Sequence, residues 1–535
     1  MQHGFTTGHY MVIASRPPMK FYQKYLSARA IVSYHLGIAP DSKGWLFWVP
    51  KSKRITRAEN VKFDESNFFL YPVRNQSSAM SIQAETLFDS SMIKELEKQD
   101  SFISTINHIH DLCNITPTTY KEAISSDEQV QWQAAIVEEL NSMNQEKLFE
   151  DISIRNALKE VPHNSIFSTT WVFVRKHKPE RYKAQLVARG FRQIHSINFD
   201  ETFAPTPTFG ALHLLFLIVC TNNWPIQTFD VKVAFLHSLI DKLVYVWPPK
   251  GINVPKHTIL KLWKALCGTK QAARCWWLHL KMILEQIGLC PNGEDQSTYC
   301  YKTDKGRAIL WIHVDDSVLT ASTSKVLNDI SNELNKAFKM KWDDTISSLV
   351  GISITCTDDG YEFSQKDLIL KLLGWNQSNI TAKSPLPANC DLKSNKSGDL
   401  DKDYLRRIGM LLYIVQGSRP NICYLVNYLA QFSMATDDTH WQALEHLIAY
   451  PRGTIKDKII ISKNQETPTF NCYVDANWGG EGNRSNHGFI IMHGRNPITW
   501  QSKQQATVAA STAQAEYIAL SFSSRECLWL ANLSG

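Results

Sequence analysis

Two adjacent carboxylates, Asp315 and Asp316, stand between two apolar runs that are rich in β-branched residues. The runs, 308–313 and 317–320, predict two strands joined by a tight turn that carries both carboxylates. Paired carboxylates at the edge of a core repel each other and resist ionisation, and a divalent cation with oxygen ligands removes that conflict. Asp-Asp is also ordinary hairpin chemistry. These residues alone support a metal site and a plain hairpin equally.

A third carboxylate, Asp230, follows a short apolar run, and the aromatic Phe235 comes five positions later. Asp is a favoured N-cap residue, so Asp230 could simply open a helix. Together with the doublet, however, it offers three carboxylates on neighbouring strand ends. That set can hold two magnesium ions about 4 Å apart for an in-line phosphoryl displacement.

Other elements must position these carboxylates. Gly268 is followed by a predicted helix whose start carries Lys270, Gln271 and Arg274, groups that suit a triphosphate and a base edge. We expect the tryptophans of this segment, Trp263, Trp276 and Trp277, in the core. Apolar spacing also predicts helices near 132–148 and 210–220, and two basic strands around Pro179 predict a hairpin that could grip phosphates.

Composition limits the class of protein. The chain has 535 residues, 44% of them hydrophobic and 20% charged, which is typical of globular domains. A net charge of +6 permits nucleic-acid binding without arguing for it. Eleven cysteines without a C-x-x-C pair argue against zinc knuckles and disulfide scaffolds and favour a reducing compartment. The longest apolar run is about half of a membrane span, so we expect a soluble intracellular protein without a membrane partner.

Beyond these local patterns, the chain resembles the reverse transcriptase of copia-type LTR retrotransposons. The family's FDVKTAFL, LYGLKQAPRAW and YVDD correspond here to FDVKVAFL, LCGTKQAARCW and HVDD, in the same order. The flanking WVFVRKHK, RYKAQLVARGF, FAPTPT and VYVWPPKGI are also similar to the family, as are GISITCTDDGYEFSQKDLI and IGMLLYIVQGSRPNICYLVNYLAQF. Residues 1–70 resemble the tail of the integrase that precedes the polymerase in the same polyprotein, and the C-terminal part is similar to the family's ribonuclease H domain.

The resemblance implies an α+β fold: a right-hand polymerase with fingers, palm and thumb and a ferredoxin-like palm sheet. A small β module would precede it, and a truncated RNase H-like α/β segment would follow. The implied domains are 1–70 for the integrase-like β module, 71–125 for a linker, 126–385 for fingers, palm and thumb, 386–465 for thumb and connection helices, and 466–535 for the RNase H-like part.

Site roles follow from the same resemblance. Asp230, Asp315 and Asp316 would be the catalytic carboxylates and would hold two Mg²⁺, with Mn²⁺ as a possible substitute. Phe235 matches the aromatic position that blocks a ribose 2′-hydroxyl. Gln271 matches the residue that packs along the incoming nucleotide. Further substrate contacts are implied for Lys183, Arg189 and Lys270.

In the RNase H-like part, Asp475 and Glu516 match the first two of the family's four carboxylates. The segments that carry the other two would come after Gly535. Half of a two-metal site has too few anionic ligands to hold both ions. We therefore expect a vestigial site without RNase H activity, and Asp475 is almost as well explained as a turn residue.

Four departures from the family pattern bear on activity: His313 for tyrosine, Gln185 for arginine, Ala273 for proline, and Pro451 inside a helix. Protonated His313 would compete with metal binding at low pH, and Pro451 would interrupt its helix. The favoured function is RNA-directed DNA polymerase, a nucleotidyltransferase. The alternative is a catalytically inactive, truncated transposon relic that at most binds nucleic acid.

The expected partners are an RNA template, a DNA primer, dNTPs and other Pol segments of the parent polyprotein. By analogy with copia-type replication we expect a cytoplasmic retrotransposon particle, with the nucleus as an alternative location. The sequence leaves the oligomeric state open.

Overall fold

The computed structural model describes five strands before residue 70 and most of the chain after residue 115. For the five strands only the backbone is described. The described residues are 10–15, 30–38, 45–49, 54–58, 61–68, 116–177, 180–293, 295–314, 316–375, 380–386, 392–393, 400–463, 469–479 and 484–534. They divide into two compact units, one up to Lys94 and one from Glu95 onward, and each is described by itself.

The first unit is an antiparallel sheet in the stretch where alternating apolar and basic residues predicted β structure. Its strands are β1 (Tyr10–Ser15), β2 (Ala30–Ile38), β3 (Trp45–Val49), β4 (Arg54–Ala58) and β5 (Val61–Phe68). They pair in the order β4-β3-β2-β1-β5. Most of the predicted linker, 71–115, lies outside the described residues.

The second unit begins with helices that cover a two-stranded hairpin. Its first elements are α1 (Tyr120–Ser125), α2 (Gln129–Gln145), β6 (Phe149–Ser153), α3 (Ile154–Glu160), β7 (Thr169–His177) and β8 (Glu180–Ala188). Helix α1 falls within the stretch expected to be linker and buries Ala123. The β7–β8 hairpin is the one that the basic strands predicted, and the buried Trp132 of α2 packs edge-on against its Phe173 and Tyr182.

A six-stranded antiparallel sheet, here called the central sheet, lies at the middle of this unit. The elements in and around it are α4 (Phe209–Asn222), β9 (Ile226–Val231), β10 (Leu239–Val246), β11 (Thr258–Lys264), α5 (Ala272–Ile287), β12 (Cys290–Asn292), β13 (Asp295–Thr303), β14 (Gly306–His313), β15 (Asp316–Ala321), α6 (Ser324–Ala337) and β16 (Met340–Asp343). The central sheet has the order β12-β13-β14-β15-β9-β16, and β10, β11 and β6 form a small separate sheet.

The faces of the central sheet are covered by different helices because strand residues alternate between them. Trp311 and Val318 pack in one core with α4, whereas Leu310 and Leu319 pack in another with α5 and α6. Helix α4 is apolar all round, as its sequence requires for a helix buried on every side. It begins after Thr208, whose hydroxyl accepts the Ala211 backbone N–H.

A four-stranded sheet and four helices follow. The elements are β17 (Ser348–Leu349), β18 (Ile352–Thr357), β19 (Gly360–Ser364), α7 (Lys366–Gly374), α8 (Lys402–Ser418), α9 (Cys423–Ala430), α10 (Asp438–Gly453) and β20 (Ile459–Ser462). The four strands pair in the order β17-β18-β19-β20. We predicted that Pro451 would interrupt its helix, and this prediction is wrong. Helix α10 continues through Pro451 to Gly453. In the last turn a proline removes one backbone bond without displacing the buried turns before it.

The chain closes with a three-stranded antiparallel sheet, here called the C-terminal sheet, and one long helix. They are β21 (Phe470–Ala476), β22 (Asn486–His493), β23 (Asn496–Gln504) and α11 (Thr512–Ser534). This sheet shares a core with α4: the buried His213 ring donates from Nδ1 to the Ile498 carbonyl at 2.9 Å and stacks on Trp500. Among the described residues, no helix is both long and apolar enough to cross a membrane.

Candidate active site

The structure places Asp230 and Asp316 directly opposite each other on paired strands. Asp230 is the penultimate residue of β9 and Asp316 the first of β15, and the antiparallel register aligns their Cα atoms. Directly opposed residues point to the same face with Cβ atoms about 5 Å apart. Both side chains are exposed. Two of the three predicted carboxylates therefore form an adjacent, solvent-facing pair, and Asp230 lies in a strand rather than at a helix N-cap.

The turn before Asp316 has a strained backbone. His313 pairs with Asp316, so the connection between β14 and β15 is two residues long and begins with Val314. Such loops need a positive φ at their first position to match the strand twist. Val314 meets this requirement with φ 57°, in the left-handed region that a β-branched residue rarely adopts. Asp315, the third predicted carboxylate, lies outside the described residues.

Two further side chains extend the carboxylate pair into a row across four strands. His313 of β14 is opposite Asp316, and Lys341 of β16 is opposite Asp230. Burial lowers the pKa of His313 below its usual range, and the nearby Asp316 charge only partly opposes that shift. The imidazole therefore stays neutral at neutral pH, and its expected competition with a metal moves to more acidic conditions.

Sequence reasoning missed Lys341. The signal was present, because an amphipathic helix is followed by the alternating Lys339–Asp343 stretch, which is typical of an edge strand with one wet face. Lys341 lies beside Asp230 because β16 pairs with β9. These two strands are far apart in the sequence, so no local pattern shows that they pair. The Lys341 ammonium group adds a positive charge at one end of the row.

The donor set of the row fits a divalent cation. Like charges directly opposite each other on paired strands are destabilising, and carboxylate oxygens are the ligands that Mg²⁺ prefers. Asp230 and Asp316 supply such oxygens on one exposed face. Within the described ranges no group of three or more His, Cys, Asp or Glu residues converges, so these two carboxylates are the part of the predicted metal site that the structure describes.

Phe235 lies in a short 3₁₀ turn, Ala234–His237, that starts just after β9. Val233 caps this turn with φ 52°, a second valine in the left-handed region near the carboxylates. The Phe235 ring packs against Ala272 and Cys275 in the first turn of α5. Phe235, the residue predicted to block a ribose 2′-hydroxyl, therefore lies beside the start of α5, which was predicted to contact a nucleotide.

Gln271 is fully buried, which the sequence did not anticipate. Its Nε2 donates to the Asn198 carbonyl at 2.7 Å, and its Oε1 accepts from Gln193 Nε2 at 3.0 Å. Gln193 Oε1 in turn accepts the Lys270 backbone N–H at 2.7 Å. A nucleotide contact by the Gln271 amide would have to replace one of these bonds. Gln193 is therefore a residue of this region that sequence reasoning missed.

Two glycines let the backbone just before Lys270 cross the backbone around Arg189, and both of these cations are exposed. A Cβ at Gly190 would clash with the Gly268 carbonyl, and Gly268 itself has φ 87°. The Ala188 N–H donates to the Cys267 carbonyl at 2.8 Å in the same crossing. Lys270 Nζ stands 4.8 Å from the centre of the Phe199 ring.

Lys183 is exposed further along β8, where it pairs with Val174, so the crossing does not include it. Gln185 is on the same strand, and Ala273 is the second residue of α5, whose helix forms without the family's proline. Trp276 is buried as predicted, but Trp263 is 46% exposed, which corrects that prediction. Its indole N–H donates to Glu150 at 2.9 Å, and such a bond keeps the ring at the surface.

Glu516 of α11 contacts the backbone of β21 next to Asp475. Glu516 Oε1 accepts the backbone N–H of Ala476, the residue after Asp475, at 3.3 Å. Both acidic residues are exposed. This arrangement ties a helix to a strand end and occupies one carboxylate oxygen.

Two family models match this chain. Residues 157–388 match the family described as "Reverse transcriptase (RNA-dependent DNA polymerase)", and residues 17–77 match the "Retroviral polymerase SH3-like domain".

Three relatives are retrovirus-related Pol polyproteins. Those from the Arabidopsis thaliana transposons RE1 and RE2 are 31% and 29% identical over 69% and 78% of this chain, covering 26% and 29% of their own lengths. The one from the Nicotiana tabacum transposon TNT 1-94 is 28% identical over 77% of this chain and 32% of its own length. This chain therefore spans about a quarter to a third of these curated relatives. It belongs to the copia-type retrotransposon Pol polyproteins, and its residues 157–388 form a reverse transcriptase domain.

Proposed function

We propose that this chain is an RNA-directed DNA polymerase that extends a DNA primer on an RNA template by adding dNTPs. The observation that carries the proposal is the direct register of Asp230 with Asp316 on the exposed face of the central sheet. Like-charged neighbours cost stability unless a cation lies between them. In a nucleotidyltransferase that depends on divalent cations, the bound cations would offset the repulsion between these two carboxylates.

Asp230 and Asp316, with Asp315 next to Asp316 in the sequence, would hold two Mg²⁺, which Mn²⁺ could replace. Bound ions of this kind activate the primer 3′-hydroxyl and stabilise the leaving diphosphate. The chain's own groups have separate tasks. His313 stays neutral, so it adds no positive charge beside the carboxylates. Lys341 supplies a fixed positive charge at the other end of the row.

We assign substrate selection to the start of α5 and the turn beside it. Phe235 would exclude a ribose 2′-hydroxyl because its ring fills the space beside Ala272 and Cys275. Gln271 would contact the incoming nucleotide after exchanging its bond with Gln193 or Asn198. Lys270 and Arg189, which flank the glycine crossing, would bind triphosphate oxygens as exposed cations, and Lys183 would contact phosphate further out on the hairpin.

A reverse transcriptase domain implies the right-hand polymerase fold. We propose that the central sheet is its ferredoxin-like palm, that α8–α10 belong to its thumb region, and that β21–β23 with α11 are an RNase H-like segment. Other Pol segments of the parent polyprotein would be its partners. Its place of action would be a cytoplasmic retrotransposon particle.

Primer extension on poly(rA)/oligo(dT) with Mg²⁺ and dTTP tests the proposal. We expect incorporation by the unaltered chain and a loss of about a hundred- to a thousandfold in Asp230→Asn, which is the scale of removing one preorganised group that stabilises transition-state charge. Asp475→Asn is the matched control, since it removes an exposed aspartate from the C-terminal sheet, and we expect it to leave incorporation unchanged.

Two outcomes would overturn the proposal: no incorporation by folded protein that binds the template-primer, or equal incorporation by Asp230→Asn. The first would favour the alternative of an inactive relic that binds nucleic acid.

A further inference from the structure

The turn between β14 and β15 needs support from outside the hairpin. Val314 has φ 57°, and a β-branched residue stays in this costly region only where the surrounding structure holds it there. Asp230 and Asp316 are exposed on one face of the central sheet. The other face packs against α5 and α6, and it can support the turn.

Trp276 of α5 provides that support. Its side chain is 2% exposed and belongs to the core beneath the sheet, together with Phe229, Leu310 and Leu319. Its indole N–H donates to the Val314 carbonyl at 3.2 Å. The ring is itself fixed, because it packs edge-on against Phe338 with centroids 5.3 Å apart.

We propose that Trp276 is a positioning residue for the carboxylate row. The inference rests on the proposed polymerase function and extends it to a group that cannot touch substrate, since Trp276 approaches from the face opposite the carboxylates. The indole hydrogen bond fixes the carbonyl of the strained residue and thereby sets where β15 begins with Asp316. Helix α5 then has two tasks, because Gln271 lies at its N-cap and Trp276 reaches the turn from its second turn.

A buried tryptophan can also be simple core packing, and a conservative pair of variants separates the two roles. Trp276→Phe keeps an aromatic ring and removes the N–H donor. Trp277→Phe makes the same change at the next residue, whose indole nitrogen faces Tyr299 of β13 rather than the Val314 carbonyl. Only Trp276→Phe removes the hydrogen bond to the Val314 carbonyl.

Three measurements compare these proteins: urea unfolding, Mn²⁺ binding followed by electron paramagnetic resonance without nucleotide or nucleic acid, and dTTP incorporation on poly(rA)/oligo(dT). Loss of an outer-shell hydrogen bond that orients metal ligands typically costs 10–100-fold in metal affinity or activity. We expect Trp276→Phe to lower Mn²⁺ affinity and kcat by about that factor, with KM for dTTP within about twofold. Trp277→Phe should stay within about twofold of the unaltered chain in both.

The inference is overturned if Trp276→Phe binds Mn²⁺ like the unaltered chain, or if both variants lose affinity in equal measure. If the unaltered chain incorporates no dTTP but the Mn²⁺ difference remains, the polymerase proposal fails and the positioning role stands. Should Trp276→Phe not fold cooperatively, benzothienylalanine at position 276 keeps the bicyclic ring without the N–H, and the same Mn²⁺ result is expected.

Discussion

The central sheet and the C-terminal sheet each contain a two-residue hairpin turn, and each has two predicted metal-binding carboxylates in or beside it, which allows a direct comparison. In the C-terminal sheet, His493 pairs with Asn496, and the first turn residue is Gly494 with φ 60°. In the central sheet the same position is Val314 with φ 57°. Glycine adopts this conformation without steric cost, whereas valine does not.

The carboxylates differ in the same sense. Glu516 is bonded to a backbone N–H beside Asp475, so part of its charge is already satisfied by the protein. Asp230 and Asp316 face each other from adjacent strands. The central sheet thus combines a left-handed valine with two directly opposed carboxylates, whereas the C-terminal sheet has glycine at the same turn position. Stored strain of this kind clusters at functional sites, and four experiments can break or sharpen the contrast.

The largest expected difference is in metal affinity. Asp316→Asn should weaken Mn²⁺ binding by more than about a hundredfold, because it removes a ligand oxygen rather than an outer-shell bond. Asp475→Asn should leave the affinity within about twofold of the unaltered chain. Calorimetric titration of both variants measures this, and equal weakening by the two substitutions would remove the distinction between the sheets.

The second experiment tests whether the two regions share one stability unit through His213. Burial lowers the pKa of His213 from 6.5 to about 4. The unfolded chain therefore binds a proton that the folded chain rejects, so stability is full above pH 6.5 and falls as the pH drops toward 4. The loss attributable to this group is about 3 kcal/mol.

Denaturant unfolding at pH 7 and pH 4 measures this loss, and His213→Gln is the control that lacks the titrating ring. Between pH 7 and pH 4 the unaltered chain should lose about 3 kcal/mol more of its free energy of unfolding than His213→Gln does. If both proteins lose the same stability, His213 does not link α4 to the C-terminal sheet in the way that its bond to Ile498 indicates.

The third experiment exchanges the turn residues. Val314→Gly should raise the free energy of unfolding by about 1 kcal/mol because it relieves the left-handed valine, and Gly494→Val should lower it by about 1–2 kcal/mol. We expect Val314→Gly also to lower dTTP incorporation several-fold, since a flexible turn holds Asp316 less firmly. A destabilised Val314→Gly protein would contradict the assignment of strain to this turn.

The smallest expected effect is the charge repulsion itself. In EDTA, Asp316→Asn should stabilise the fold by about 0.5 kcal/mol, because a like-charged pair opposed across two strands becomes a charge–amide pair. Asp475→Asn should give no such gain. Saturating Mg²⁺ should reverse the sign for Asp316→Asn, because the ion stabilises only the form that binds it. Unfolding curves with and without Mg²⁺ provide the readout, and a destabilised Asp316→Asn in EDTA would argue against repulsion.

Local pattern was enough to predict much of the fold. The alternating β-branched runs gave the β14–β15 hairpin, the basic strands gave β7–β8, and apolar spacing gave α2 and α4. These predictions succeeded because each depends on residues close in the chain. Trp263 was misjudged because a half-exposed aromatic with an N–H partner has the same local signature as a buried one.

The motif order in the sequence identified the family, and the three carboxylates predicted the metal-dependent chemistry that we propose. Only the tertiary structure decided that Asp230 and Asp316 share a register, that Lys341 extends their row, and that Gln271 is buried in a network with Gln193. It also placed Trp276 beneath the Val314 carbonyl. Each of these depends on how strands and helices distant in the chain pack on the two faces of one sheet. Local periodicity fixes which face a residue takes but cannot specify the neighbour it meets across strands.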